Sequence, residues 1–114
     1  MALFDSDEDL VNEAKQIAER LRNVKTHQLR RIYSQVYSIY QQSKGDFAPA
    51  KSRLVLLKPQ LAYAESRKPQ LHRLTSKLIA LIDQVDQGGD PKENLKKIYQ
   101  FVQSVVGYHK ERRE

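Results

Sequence analysis

Apolar residues recur along the chain at spacings of three and four, interrupted by polar punctuation. This pattern predicts helices almost throughout. Leu10, Val11, Ala14, Ile17, Ala18 and Leu21 form the first stripe. Ser6 or Asp5 precedes it as a cap, and Asp7, Glu8 and Asp9 meet the positive end of the helix dipole. Thr26 can cap a second helix that carries Leu29, Ile32, Tyr33, Val36, Tyr37 and Tyr40, with Gly45 as its stop. Asp46 and Pro49 suit the cap and first turn of a third, in which Ala50, Leu54 and Leu57 face inward. Pro59 lacks an amide hydrogen and its ring clashes with the carbonyl four residues back, which predicts a break or kink near Lys58. A short fourth helix would then hold Leu61, Ala62 and Ala64. Pro69 opens a fifth with Leu71, Leu74, Leu78, Leu81, Ile82 and Val85, ended by Gly88 and Gly89. Asp90-Pro91-Lys92-Glu93 reads as a capping box for a sixth, which presents Leu95, Ile98, Val102 and Val105 with Phe101 and Val106 beside them. No alternating segment or hairpin dipeptide competes. The expected class is all-α, a small helical bundle of five to six helices. It forms one domain over residues 1–114, with 1–5 and 110–114 frayed.

Composition removes several kinds of chemistry. The 114 residues include no Cys, so disulfides, thiolate nucleophiles and Cys-ligated metals are excluded. His27, His72 and His109 never fall three or four apart, and no carboxylate accompanies them at ligand spacing. No Gly-rich phosphate loop or nucleophile elbow occurs. The expectation is no catalytic residue, no metal and no cofactor. A metal-independent ribonuclease, with two histidines converging in space, stays open. The N-terminus is acidic where a signal peptide would be basic, and no segment approaches the ~20 apolar residues of a membrane span. A soluble, cytoplasmic protein with no membrane role is expected.

Charge sharpens the picture. The formal net charge is +6. From Lys25 to Ile82 there are eleven Lys/Arg and two acids, Asp46 and Glu65, so this middle segment contributes +9 against −3 from the first 24 residues. A localised positive field suits a polyanion reader, and equally a merely solvated surface. Arg30 and Arg31 flank the stripe of the second helix, and each fits either solvent or a phosphate held by two parallel hydrogen bonds. Lys58, Arg67 and Lys68 bracket the element between Pro59 and Pro69, and contact with a phosphate backbone is the expected role of all three. Lys58 can instead cap the third helix's carbonyls, and Arg67 can pair with Glu65 or a neighbouring helix. Lys25, Lys51, Arg53, Arg73 and Lys77 can extend the patch. Tyr63, amid these cations, can stack on a base, or plug the bundle with its hydroxyl at the edge. Tyr33, Tyr37 and Tyr40 lie on the apolar stripe and read as core or interface residues.

Three pieces together resemble one family. They are Thr26-x-x-Leu29-Arg30-Arg31-Ile32-Tyr33, then Leu57-Lys58-Pro59-x-Leu61-Ala62-Tyr63-Ala64-x-x-Arg67, then Tyr108-His109-Lys110. In that order and spacing they are similar to the small subunit of type III-A CRISPR–Cas effector complexes, the Csm complexes. The resemblance covers roughly residues 26 to 110. Gly107 departs from it, standing where alanine is expected and loosening the last helical turn by about 1 kcal/mol.

The resemblance implies a helical bundle without catalytic activity, several copies of which line a ribonucleoprotein filament. They help form the channel for the crRNA–target RNA duplex, chiefly through target-strand phosphates. RNA cleavage would belong to the backbone subunits, and signalling-nucleotide synthesis and DNase function to the large subunit. Implied partners are therefore crRNA and target RNA, the backbone and large subunits, and other copies of the chain. The short hinges at residues 43–46 and 87–89 also allow a swapped homodimer in isolation. The rival reading is a helical adaptor that binds a protein partner through its apolar stripes.

Overall fold

The computed structural model describes residues 3–110, and the tail from Glu111 to Glu114 lies outside them. Its helices are α1 (Asp7–Arg20), α2 (Thr26–Ser43), α3 (Phe47–Arg67), α4 (His72–Asp83) and α5 (Pro91–Tyr108). A single 3₁₀ turn, Pro69–Leu71, leads into α4. Three of the helix starts rest on side-chain oxygens accepting from otherwise orphaned amides. The Ser6 hydroxyl accepts from Asp9 N–H at 3.1 Å, the Asp46 carboxylate from Ala48 N–H at 3.2 Å and the Asp90 carboxylate from Lys92 N–H at 3.0 Å. Thr26 is not a cap but the first residue of α2. Lys25 occupies the cap position, and the Gln28 side chain accepts its amide hydrogen at 3.2 Å. Glu93 does not complete a box at α5; it extends toward Lys97, 3.9 Å away. Gly89 adopts φ 70°, the left-handed conformation that glycine enters without steric cost.

The expected break at Lys58 does not occur. Helix α3 runs through Pro59 for 21 residues, merging two predicted helices into one. The carbonyl that loses its donor belongs to Val55, which is exposed, as is Pro59, so water can replace the bond. A proline in a helix interior costs ~3 kcal/mol. Burial of Leu54 and Leu57 on one side and Leu61 on the other offsets that, because each buried leucine contributes about 1.5–3 kcal/mol. Tertiary packing thus overrides the local preference to stop.

Helix α5 lies against both α1 and α2, and α3 sits between α2 and α4. Phe101, Leu21, Leu54, Leu78 and Ile98 occupy the fully buried centre. Phe4, within the segment expected to fray, is buried and stacks on Phe101 with ring centroids 5.4 Å apart. Buried Asn94 donates to the carbonyls of Val85 and Gly88 at 2.9 and 2.8 Å, pinning the α4–α5 connection. At the far end of α5, His109 Nε2 meets the Leu21 carbonyl at 2.8 Å. Gly107, just before it, is helical, and an added Cβ there would meet nothing within 4 Å.

Tyr33, Tyr37 and Tyr40 gather around Tyr99 of α5, forming an aromatic seam between α2 and α5. Its rings lie 4.7 to 5.9 Å from Tyr99, and the Tyr33 and Tyr99 hydroxyls are 3.2 Å apart. The seam is half open, with Tyr37 exposed.

Replacing exposed Pro59 by alanine should raise stability by about 2 kcal/mol, the helix gain less a smaller unfolded-state loss. Leu61→Ala should lower it by ~2–5 kcal/mol, since Leu61 is 1% exposed. Denaturant melts of both variants check this. The hydrogen bond with Tyr33, and then burial, push the Tyr99 hydroxyl up to about 12. The fold therefore favours the protonated form. Stability from this group is complete below pH 10 and is lost as pH rises through 12. Ultraviolet titration of Tyr99→Phe against the parent should remove a phenolate signal near pH 12 rather than near 10.

Candidate nucleic-acid interface

Helices α2 and α3 form an antiparallel hairpin closed by a short turn over residues 44–46. Its register is fixed by polar pairs. Arg53 donates to the Gln42 and Ser38 side chains at 2.8 and 3.1 Å, and Gln35 donates to Gln60 at 2.7 Å. Positions seven apart on a helix return to nearly the same face after two turns. On α3, Arg53, Gln60 and Arg67 therefore make one polar line beside α2. Lys51, Lys58 and Glu65 make a second line, which faces α4. There Lys51 pairs with Asp86, Lys58 pairs with Asp83, and Glu65 accepts from the Thr75 hydroxyl and lies 3.2 Å from His72 Nδ1. Between the two lines run the buried residues Ala50, Leu54, Leu57 and Leu61.

Toward the start of α2 and the end of α3 the surface opens into a groove of about 880 Å³. His27, Gln28, Arg31 and Gln35 line it from α2, and Gln60, Tyr63 and Arg67 from α3, with Lys68 just beyond. Ile32, Leu61 and Leu71 contribute to its apolar walls. The lining holds three formal cations and no carboxylate. Arg67 donates to the Tyr63 hydroxyl at 3.1 Å, and that bond holds its pKa above the ordinary arginine value. Its guanidinium carbon lies 5.9 Å from the Tyr63 ring centre. Tyr63 is 62% exposed, so it does not plug the bundle.

The nearby acids are held elsewhere. Hydrogen bonding from Lys51 lowers the Asp86 pKa, and hydrogen bonds from Thr75 and then His72 lower that of Glu65. Lys97 lowers Asp7 in the same way across α5 and α1. These are exposed pairs, and screening by solvent leaves each with little effect on stability. Their larger effect is on where negative charge sits.

Of the residues singled out from sequence, Arg31, Tyr63, Arg67 and Lys68 meet in the groove. Arg30 and Lys25 are exposed outside its lining. Lys58 lies on the opposite flank of α3: nine residues from Arg67 is about two and a half turns, which places it half a turn away. Arg67 pairs with neither Glu65 nor an adjacent helix but with its own-helix tyrosine. Lys51, Arg53 and Lys77 have partners, Lys77 bonding Glu13 at 2.9 Å and covering the Phe4 ring. Gln35 and Gln60 escaped the sequence reading. Their signal was spacing, since Gln60 precedes Arg67 by seven and Gln35 follows Arg31 by four. Drawing α3 as one helix exposes it. The three histidines have separate surroundings: the groove for His27, Glu65 for His72 and the Leu21 carbonyl for His109. Among the described residues, no group of three or more His, Asp or Glu side chains is placed to hold a metal ion. No helix among them is long and apolar enough to cross a membrane.

The family model for Csm2 Type III-A matches residues 5–114. The chain belongs to that family. It is a small subunit of the type III-A CRISPR–Cas Csm complex. No curated protein and no solved structure gives a significant match. The match takes in all five helices and every residue of the groove.

Because Arg31, Arg67 and Lys68 make no ion pair with a carboxylate among the described residues, removing them should not unfold the protein. Each alanine variant should melt within about 0.5 kcal/mol of the parent by circular dichroism.

Proposed function

We propose that the groove between α2 and α3 holds the phosphate backbone of RNA inside the type III-A complex. The observation that carries this reading is the lining: three cations with no carboxylate, in a chain of this family. Two guanidiniums can each offer parallel hydrogen bonds to phosphate oxygens, and Lys68 adds a point charge. Such contacts position a strand without reading its sequence. Sequence choice would then come from pairing between the guide and its target. The chain's task is to grip the target strand along the crRNA–target channel, and cleavage is left to other subunits. This takes place in the cytoplasm.

The same reading gives α3 a second task. Val55 and Leu56 are 45% and 60% exposed on its outer face, next to Pro59. In an assembly of several subunits this apolar strip would lie against a neighbouring backbone subunit or a second copy. Burying it would add affinity without using the groove.

Affinity should fall with salt. Each phosphate contact on a single strand contributes about −0.7 to the slope of log K against log salt, so two to four contacts give roughly −1.4 to −2.8. Arg67→Ala should make the slope shallower by about 0.7, whereas Lys58→Ala, on the α4 side, should leave it unchanged. Titrations of labelled single-stranded RNA at several salt concentrations read both. A flat response in the parent removes the mechanism, and an equal effect of the two variants removes the groove as its place.

A further inference from the structure

The groove contains more than a phosphate reader needs. Phosphate contact uses Arg31, Arg67 and Lys68, yet beside them stand an exposed aromatic ring and a paired set of amides. On α3 the order is Gln60, Tyr63, Arg67, a spacing of three and four that sets amide, ring and cation along one line. Seven residues of helix span about 10 Å, close to the reach of one nucleotide from phosphate to the far edge of its base. The Tyr63 ring is held from its hydroxyl end by Arg67, which orients it and leaves most of it in solvent. The bond from Gln35 to Gln60 leaves a carbonyl oxygen on Gln35 and amide hydrogens on Gln60 unused. A groove of about 880 Å³ has room for a nucleotide.

We infer that this groove binds an unpaired nucleotide, its base stacked on Tyr63 and its edge bonded by the Gln35–Gln60 amides, while Arg31, Arg67 and Lys68 hold the adjoining phosphates. The inference rests on the phosphate reading of the same groove and adds the base. Every nucleobase has a π face and an edge with at least one acceptor, so the site accepts any base. A duplex keeps its bases stacked inside and offers this groove phosphates alone. The groove therefore prefers a single strand, or a position in a duplex where one base is turned out.

The test compares three probes on the full chain by fluorescence anisotropy at fixed low salt. They are a single-stranded RNA oligonucleotide, a base-free ribose-phosphate chain of the same length, and the same RNA as a duplex. The single strand should bind at least about fivefold tighter than the base-free chain, the low end of what stacking on an aromatic side chain supplies. Tyr63→Ala should abolish that difference while melting like the parent, and Tyr63→Phe should retain it. Equal affinity for the single strand and the base-free chain would overturn the base site and leave the phosphate reading standing. So would a duplex that binds as tightly as the single strand. If none of the probes binds, both readings fall.

Discussion

Helix α3 keeps its register through Pro59, and the surfaces on either side of it depend on that continuity. A helix broken at Lys58 would let its two halves turn independently. An unbroken one locks Lys51, Lys58 and Glu65 toward α4 and Arg53, Gln60 and Arg67 toward α2. The proline is tolerated because its missing bond lies on the wet side, while Leu54, Leu57 and Leu61 are buried on the other. Packing on three leucines outweighs one local penalty.

Electrostatic sorting follows from this register. The middle of the chain is strongly basic, but its cations are not equivalent. On the α4 side, lysines meet Asp83 and Asp86, so charge is neutralised pairwise. On the α2 side the cations meet glutamines, a serine and a tyrosine, which leave their charge intact. Field strength near a surface depends on net charge within a Debye length, about 8–10 Å at ordinary salt. The groove is therefore positive because the carboxylates lie elsewhere, as much as because arginines line it.

Membership of the Csm2 Type III-A family gives that groove a context. If the groove holds RNA as proposed, it needs affinity for nucleic acid without preference for its sequence, since base pairing would supply the preference. Arginine, lysine, tyrosine and glutamine meet that need together. On the proposed reading, the arginines and lysine would bind phosphate, the tyrosine would stack on any base, and the amides would bond whichever edge they are offered. Val55 and Leu56 on the outer face of α3 fit a chain whose working surroundings include other subunits.

Helix class and the identity of most core residues were legible in the periodicity alone. Spacings of three and four follow from 3.6 residues per turn, a local property that needs no partner. The caps at Ser6, Asp46 and Asp90 were legible for the same reason, because each bond spans only two or three residues. The basic middle was a matter of counting, and the family resemblance rested on two short motifs within it and a third at Tyr108-His109-Lys110. Local rules misplaced the cap of α2 and the fate of Pro59, where a reaching glutamine and three buried leucines decided the outcome. They also could not divide the cations. Lys58 and Arg67 look alike in sequence, nine residues apart in one basic element. Only the packed helix puts half a turn between them, one against Asp83 and the other beside Tyr63. Ion-pair partners are chosen by helices distant in the chain, 25 residues on for Lys58, and that choice exists only once the helices have packed.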